Sequence, residues 1–259
     1  MNTPAKITGS SFARALRGGE LLVGTFVKTP SPVICEVLCA TPLDVLALDA
    51  EHAPFGRREL DECLAITHLK DQATLVRVPD AAPAQLLNAL DCGATGVLVP
   101  HVTSAREAAA VTAASHFGRG GRGYAGSTRA ADFGKKSIPD HLRSSAERTA
   151  VVAQIEDVEA LEDIDAIAAV DGIDCLFVGR IDLTVALGAD RPDAPQVLEA
   201  VESICAAAQR AGRAVGMFVG DLGEIPHWRE QGASLFLLAS DHAFLHQGAA
   251  SLVQTVKGA

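Results

Sequence analysis

Eight times along this chain a short run rich in Val, Leu, Ile and Ala is followed by a segment with helical periodicity, and this alternation constrains the fold more than any single motif. Strands that are apolar almost without interruption are buried on both faces, as in a parallel sheet covered by helices. The runs are LLVGTFVKT, DVLALDAE (Asp44 to Glu51), ATLVRVP (Ala73 to Pro79), GVLVPHV (Gly96 to Val102), VVAQIED, CLFVGRIDL, AVGMFVGD and SLFLLASD. Eight such units in 259 residues predict one domain over 1–259, a closed (β/α)8 TIM barrel preceded by a helix around Phe12 to Arg17. A doubly wound open sheet is the competing topology, but no Gly-x-Gly-x-x-Gly follows the first strand to support it.

The rhythm is interrupted once. From Gly118 to Ser137 the chain reads GRGGRGYAGSTRAADFGKKS, and only a short helix from about Pro139 to Ala146 is predicted before the fifth strand. A connection this long inside a compact alternation is functional or disordered. Lying after the fourth strand, the loop 118–138 is expected over the barrel mouth.

A formal net charge of -10 argues against a nucleic-acid or anionic-membrane partner, either of which needs a clustered basic surface. No apolar run approaches the length of a membrane span, and MNTPAKITGSSFARALRGGE has no apolar core of the signal-peptide kind, so a cytoplasmic protein is expected. The six cysteines lie in apolar periodic stretches without a Cys-x-x-Cys pair and read as reduced core residues.

In a parallel barrel, side chains at the carboxyl ends of the strands share one mouth, and chemistry is found there. The predicted strand ends supply Asp49, Glu51 and His52 from the second strand, Arg77 from the third, His101 from the fourth, Gln154 and Glu156 from the fifth, and Arg180 and Asp182 from the sixth. Glu156 and Asp182, one βαβ unit apart, suit a hard divalent cation such as Mg²⁺ or Mn²⁺. Asp182 could instead cap the helix that follows, and Glu156 could lie in a solvated first helical turn. Arg77 is placed to stabilise an enolate, or else to form a structural ion pair. His52, oriented by Asp49 or Glu51, is placed to move a proton. His101 reads as a packed or rim histidine, and His68, His116, His141, His227, His242 and His246 as surface residues on helices.

These residues also carry a resemblance. LDAEHAP is similar to the D-G-E-H-A-P signature of the HpcH/HpaI family of class II pyruvate aldolases. VRVP, VLVPHV, the RG of Arg122 and Gly123, AQIED and the G-x-x-D-L of Gly179 to Leu183 follow in that family's order, from about Phe12 to the C-terminus. The resemblance implies reversible cleavage of a 4-hydroxy-2-oxo acid to pyruvate and an aldehyde through a metal-bound pyruvate enolate, with Mg²⁺, Mn²⁺ or Co²⁺. It implies Glu156 and Asp182 as metal ligands, Gln154 beside pyruvate, Arg77 on the pyruvyl oxygen, and His52 paired with Asp49 as acid/base. Gly179, Arg180, Ile181 and Arg122 are the further substrate contacts it implies. It implies as well a homohexamer in which the last helix, Asp241 to Val256, is exchanged onto a neighbour.

Two departures stand out. Arg180 replaces the family's Pro, either as a second anchor for an acidic acceptor or as an ion-pair partner of Asp182, and the loop is about a residue short and carries Tyr124. Three rival functions share parts of this site: a Schiff-base aldolase through Lys28, a CoA-ester lyase or citrate-forming relative using the same enolate, and a non-catalytic binding barrel. No Gly-Gly phosphate signature stands at the seventh and eighth strands, so an unphosphorylated substrate is expected.

Overall fold

The computed structural model describes residues 7–258. Residues 1–6, the opening of the stretch read for a signal peptide, and residue 259, the end of the 1–259 domain, lie outside the described residues.

Eight parallel strands close in sequence order: β1 (Leu22–Val27), β2 (Val45–Asp49), β3 (Ala73–Arg77), β4 (Gly96–Val99), β5 (Ala150–Ile155), β6 (Cys175–Val178), β7 (Ala214–Val219) and β8 (Ala233–Ser240). β1 pairs with β8 to complete the cylinder, as the eight-unit alternation predicts. Because strand side chains alternate between faces, each strand divides between two cores. Leu46, Leu48, Val76, Val97, Val151, Ala153 and Ile155 pack outward with the helices, while Val45, Ala47, Leu75, Leu98, Val152 and Phe177 fill the interior. Gly24 and Gly96 make room where strands crowd: a Cβ on either would lie 2.4 Å from a neighbouring carbonyl oxygen.

The helix Phe12–Arg17 shares the interior core through Phe12, Ala13, Ala15 and Leu16. Its Arg17 donates to Asp174 at 2.6 Å and to the Thr149 carbonyl at 3.0 Å, just before β6 and β5. The helix therefore plugs the amino-terminal end of the barrel.

Three expectations are corrected. The long loop does not overlie the mouth: it follows the helix Ala105–Ser115 and leads into the helix Ile138–Arg148, so it lies at the plugged end. There Arg122 is bonded to Asp91, and Arg129 donates to Asp61 at 2.5 Å and to the Cys92 carbonyl at 2.6 Å. A loop's side of a barrel is set by the element that it leaves, here a helix returning to the amino end. β6 also stops at Val178, and Arg180–Ala186 is a helix, so Asp182 lies in a first helical turn rather than on a strand. Finally, His141 is buried, its ring packed against Phe117 and Tyr124 of that loop.

Five of the six cysteines are buried and Cys39 is half-buried. No helix among the described residues is long and apolar enough to cross a membrane.

Candidate active site

The inward parity that puts Ala47, Leu75 and Val152 in the barrel interior puts Asp49, Arg77 and Gln154 two residues later in its uppermost layer. Asp49 and Arg77 are register partners in β2 and β3. The guanidinium grips the carboxylate through two bonds, Nε to Oδ1 at 2.9 Å and Nη2 to Oδ2 at 2.8 Å. Fork-to-fork pairing of this kind fixes direction as well as charge. The ring of Phe26 lies 4.6 Å from the guanidinium carbon on another side. Burial alone would push the Asp49 carboxyl up, but Arg77, the His52 N–H and Lys28 hold it below its ordinary value.

Asp49 also accepts a hydrogen bond from the His52 backbone N–H at 3.1 Å. Its link to His52 therefore runs through the main chain. The carboxylate beside the imidazole is that of Glu51, with Oε2 3.6 Å from Nε2. The His52 side chain is 57% exposed and lines the mouth, free to meet a substrate hydroxyl.

Glu156 is buried just past β5. Its Oε1 accepts from the His101 backbone N–H at 3.0 Å and its Oε2 from Gln154 Nε2. His101 makes that bond from a left-handed backbone, φ 54°, which is strained for a residue with a side chain. The same conformation brings His101 Nδ1 within 3.4 Å of Glu156 and 3.0 Å of Asp157, and Nε2 within 3.8 Å of Glu51. Bonding to Asp157 raises the His101 pKa, and Glu156 and Glu51 add to it. Burial raises both glutamates above the ordinary carboxylate range despite these neighbours, and the charge of Asp182 adds to the effect on Glu156.

Two buried carboxylates pushed toward their protonated forms are what a divalent cation would relieve. One ligand atom each from Glu51, His101 and Glu156 can lie within 4.8 Å of the others, the one such cluster among the described residues. Two oxygens nearby lack hydrogen-bond donors: Glu51 Oε2, which Arg77 Nε approaches only to 3.3 Å, and Gln154 Oε1. A set dominated by carboxylate oxygens, with one imidazole nitrogen beside them, fits a divalent ion such as Mg²⁺ or Mn²⁺. Sequence reading had paired Glu156 with Asp182 and left His101 at the rim. Its place at the end of the fourth apolar run puts His101 at the mouth, but its carboxylate partners come from other strand ends and leave no mark in the sequence around it.

The mouth opens into a cavity of about 620 Å³, the size of a small-molecule site. His52, Arg77, Gln154, Gly179, Arg180, Ile181 and Asp182 all line it, Asp49 and Glu156 lie deeper, bonded to Arg77 and Gln154, and Arg122 is distant, bonded to Asp91. Arg180 pairs with Glu224 rather than with Asp182: its Nη2 is 2.7 Å from Glu224, which follows β7 and also accepts from Trp228. Lys28 Nζ lies 3.3 Å from Asp49 Oδ2, engaged in an ion pair and not offered to a carbonyl.

Known proteins share this architecture. The chain is 32% identical to a hydroxypyruvate/pyruvate aldolase from Roseovarius nubinhibens, over 93% of its own length and 94% of the relative's. It is 36% identical to a 4-hydroxy-2-oxovalerate aldolase from Rhodococcus jostii, over 83% and 84% of the two chains. A crystal structure of an HpcH/HpaI aldolase/citrate lyase family protein from Burkholderia cenocepacia superposes with a TM-score of 0.90 at 33% identity, covering 96% of this chain and 99% of that one. Residues 22–247 match the sequence profile of the family that these proteins represent. By this profile match, these relatives and its closed barrel, the chain belongs to the HpcH/HpaI aldolase/citrate lyase family.

Proposed function

We propose that this protein is a class II, divalent-metal-dependent aldolase that reversibly cleaves a 4-hydroxy-2-oxo acid to pyruvate and an aldehyde. The observation that carries the reading is Arg77, locked by Asp49 so that it faces the same mouth as the buried Glu156 and the donor-free Gln154 oxygen. Glu156 and Asp182 would hold the ion, with Gln154 beside the substrate. A Mg²⁺, Mn²⁺ or Co²⁺ ion there supplies Lewis-acid polarisation of the oxo acid's carboxylate and carbonyl oxygens.

The chain's own groups do the rest. His52 takes the proton of the C4 hydroxyl, the C3–C4 bond breaks, and its electron pair moves toward C2 as the aldehyde carbonyl forms. Arg77 donates to the C2 oxygen as negative charge gathers on it; a proton from solvent in the mouth is delivered to C3 to complete pyruvate, and His52 releases to solvent the proton it took. Gly179, Ile181 and Arg180 line the side open to the aldehyde portion.

A second ligand set is favoured by the clustering of Glu51, His101 and Glu156. Glu156 is common to both sets, so metal titration of Asp182→Asn and His101→Gln separates them. A CoA-ester or citrate-forming reaction shares the enolate and differs in the acceptor. The chain is further read as a cytoplasmic homo-oligomer, a hexamer with the segment 241–256 exchanged. The helix Asp241–Lys257 is anchored by Asp241, which accepts from the Lys28 and Thr29 N–H groups, while Leu245, Leu252, Val253 and Val256 remain exposed. Light scattering tests the hexamer.

The decisive experiment is exchange of the pyruvate methyl protons with D₂O, with and without EDTA. Exchange should require metal and vanish in Glu156→Ala. In His52→Ala exchange should persist at least in part while cleavage is lost. Normal exchange in Glu156→Ala would overturn the assignment, and a borohydride-trapped pyruvate adduct would favour the imine route through Lys28.

A further inference from the structure

A second pocket lies at the plugged end of the barrel, where the aldolase reading uses nothing. Its volume is about 40 Å³, and His68, Arg122, Lys136, His141, Arg148 and Thr149 are among the residues that line it. None of the residues lining it carries a carboxylate, in a chain whose net charge is -10. Cations gathered against the sign of the whole molecule need a local reason.

The pocket is built rather than incidental. Arg122 is held by Asp91 through Nη2 and stacked 4.6 Å over Phe117, yet its buried Nε has no partner. His141 is 1% exposed, and neither of its ring nitrogens has a hydrogen-bond partner. Its ring is set by Phe117 and Tyr124, with centroids 5.1 and 5.5 Å away. Buried polar nitrogens in proteins are almost always satisfied, so three in one small cavity point to a missing acceptor. Ser144, Ser145 and Thr149 add hydroxyls. The cations also crowd each other: burial and then Arg148 push Lys136 down, while burial followed by Lys136 and Arg122 does the same to His141. Asp91 and Asp132, just outside the lining, offset this only in part.

We propose that this pocket binds a small, doubly charged oxyanion of the phosphate or sulfate type. One water needs roughly 10–15 Å³ of such space, so about 40 Å³ holds one compact anion and excludes a nucleotide or a sugar. The anion would tie together the helix Arg57–Leu69 through His68, the long loop through Arg122 and Lys136, and the helix Ile138–Arg148 through His141 and Arg148. It is a structural ligand at the end opposite the chemistry.

The test uses the full-length, EDTA-treated protein. Thermal unfolding and calorimetric titration are measured with sodium sulfate and with sodium phosphate, against sodium chloride at equal ionic strength. A saturable single site and a raised Tm are expected with either oxyanion. Affinity should fall roughly tenfold or more in Lys136→Gln and in Arg148→Gln, each removing one charge-assisted donor from the half-exposed rim. Metal-dependent pyruvate exchange should be unchanged in both variants, so failure here and failure of the aldolase reading are separable. Equal stabilisation by chloride would overturn the proposal. So would wild-type oxyanion affinity in both variants, which would move the binding to Arg77 and Arg180 in the mouth.

Discussion

The Glu156 carboxylate lies directly against the backbone of Gly179: a Cβ on residue 179 would stand 2.6 Å from Glu156 Cβ and 2.8 Å from its Oε2. The φ of Gly179 is -83°, so the glycine is required by proximity and not by backbone conformation. Gly179→Ala should push Glu156 out of place and weaken metal binding roughly tenfold or more, while far-UV circular dichroism stays unchanged. Wild-type metal affinity in that variant would show that Glu156 tolerates displacement.

Asp49 and Arg77 form a buried pair, and removing one member leaves the other charge uncompensated. Asp49→Ala is expected to cost about 3–5 kcal/mol in denaturant unfolding. Arg77→Lys, which keeps the charge but loses the fork, should lower kcat by roughly 10²- to 10³-fold with a smaller loss of stability.

The pH dependence of stability follows from the raised carboxyls. Glu51 and Glu156 are lifted above the ordinary value of 4.5, so the folded metal-free protein binds protons that the unfolded chain has released. Stability from these groups is greatest below that value and falls as pH rises through their folded pKa values. His101, lifted above 6.5, contributes stability that is complete below 6.5 and is lost as pH climbs through its raised pKa. Metal-free protein should therefore lose Tm as pH rises above 4.5, and Glu156→Gln should flatten the slope. Saturating Mn²⁺ should reverse it, because protons and metal compete for the same oxygens.

Arg180 opens the helix Arg180–Ala186, a position where proline costs little. Arg180→Pro should leave pyruvate exchange intact and change the ranking of aldehydes, lowering kcat/KM for acidic ones relative to neutral ones by roughly tenfold. An unchanged ranking would mean that the Glu224 pair is structural only.

Apolar periodicity was enough to predict the barrel, because burial on both faces of a parallel sheet leaves its mark on every strand. The same periodicity located Asp49, Arg77 and Gln154, since a side chain two residues past an interior position must face inward. What escaped depends on distant partners. The contact between His101 and Glu156 joins the ends of two strands, and the Glu224 that meets Arg180 lies 44 residues further along the chain, by their numbering. Val-Gly-Arg-Ile continues the apolar run and so places Asp182 on a strand, whereas β6 ends at Val178 and a helix begins at Arg180. His141 was read as exposed because its own helix is polar, and it is the loop aromatics that cover it.

Phe12 and Leu16 stop one end of the cylinder, and large side chains occupy its bore up to Phe177. The reaction thus has a single doorway, and traffic through it must queue. Whatever sits deepest, against Arg77, enters first and departs last, so product-inhibition kinetics should show an ordered release with the aldehyde leaving ahead of the three-carbon acid.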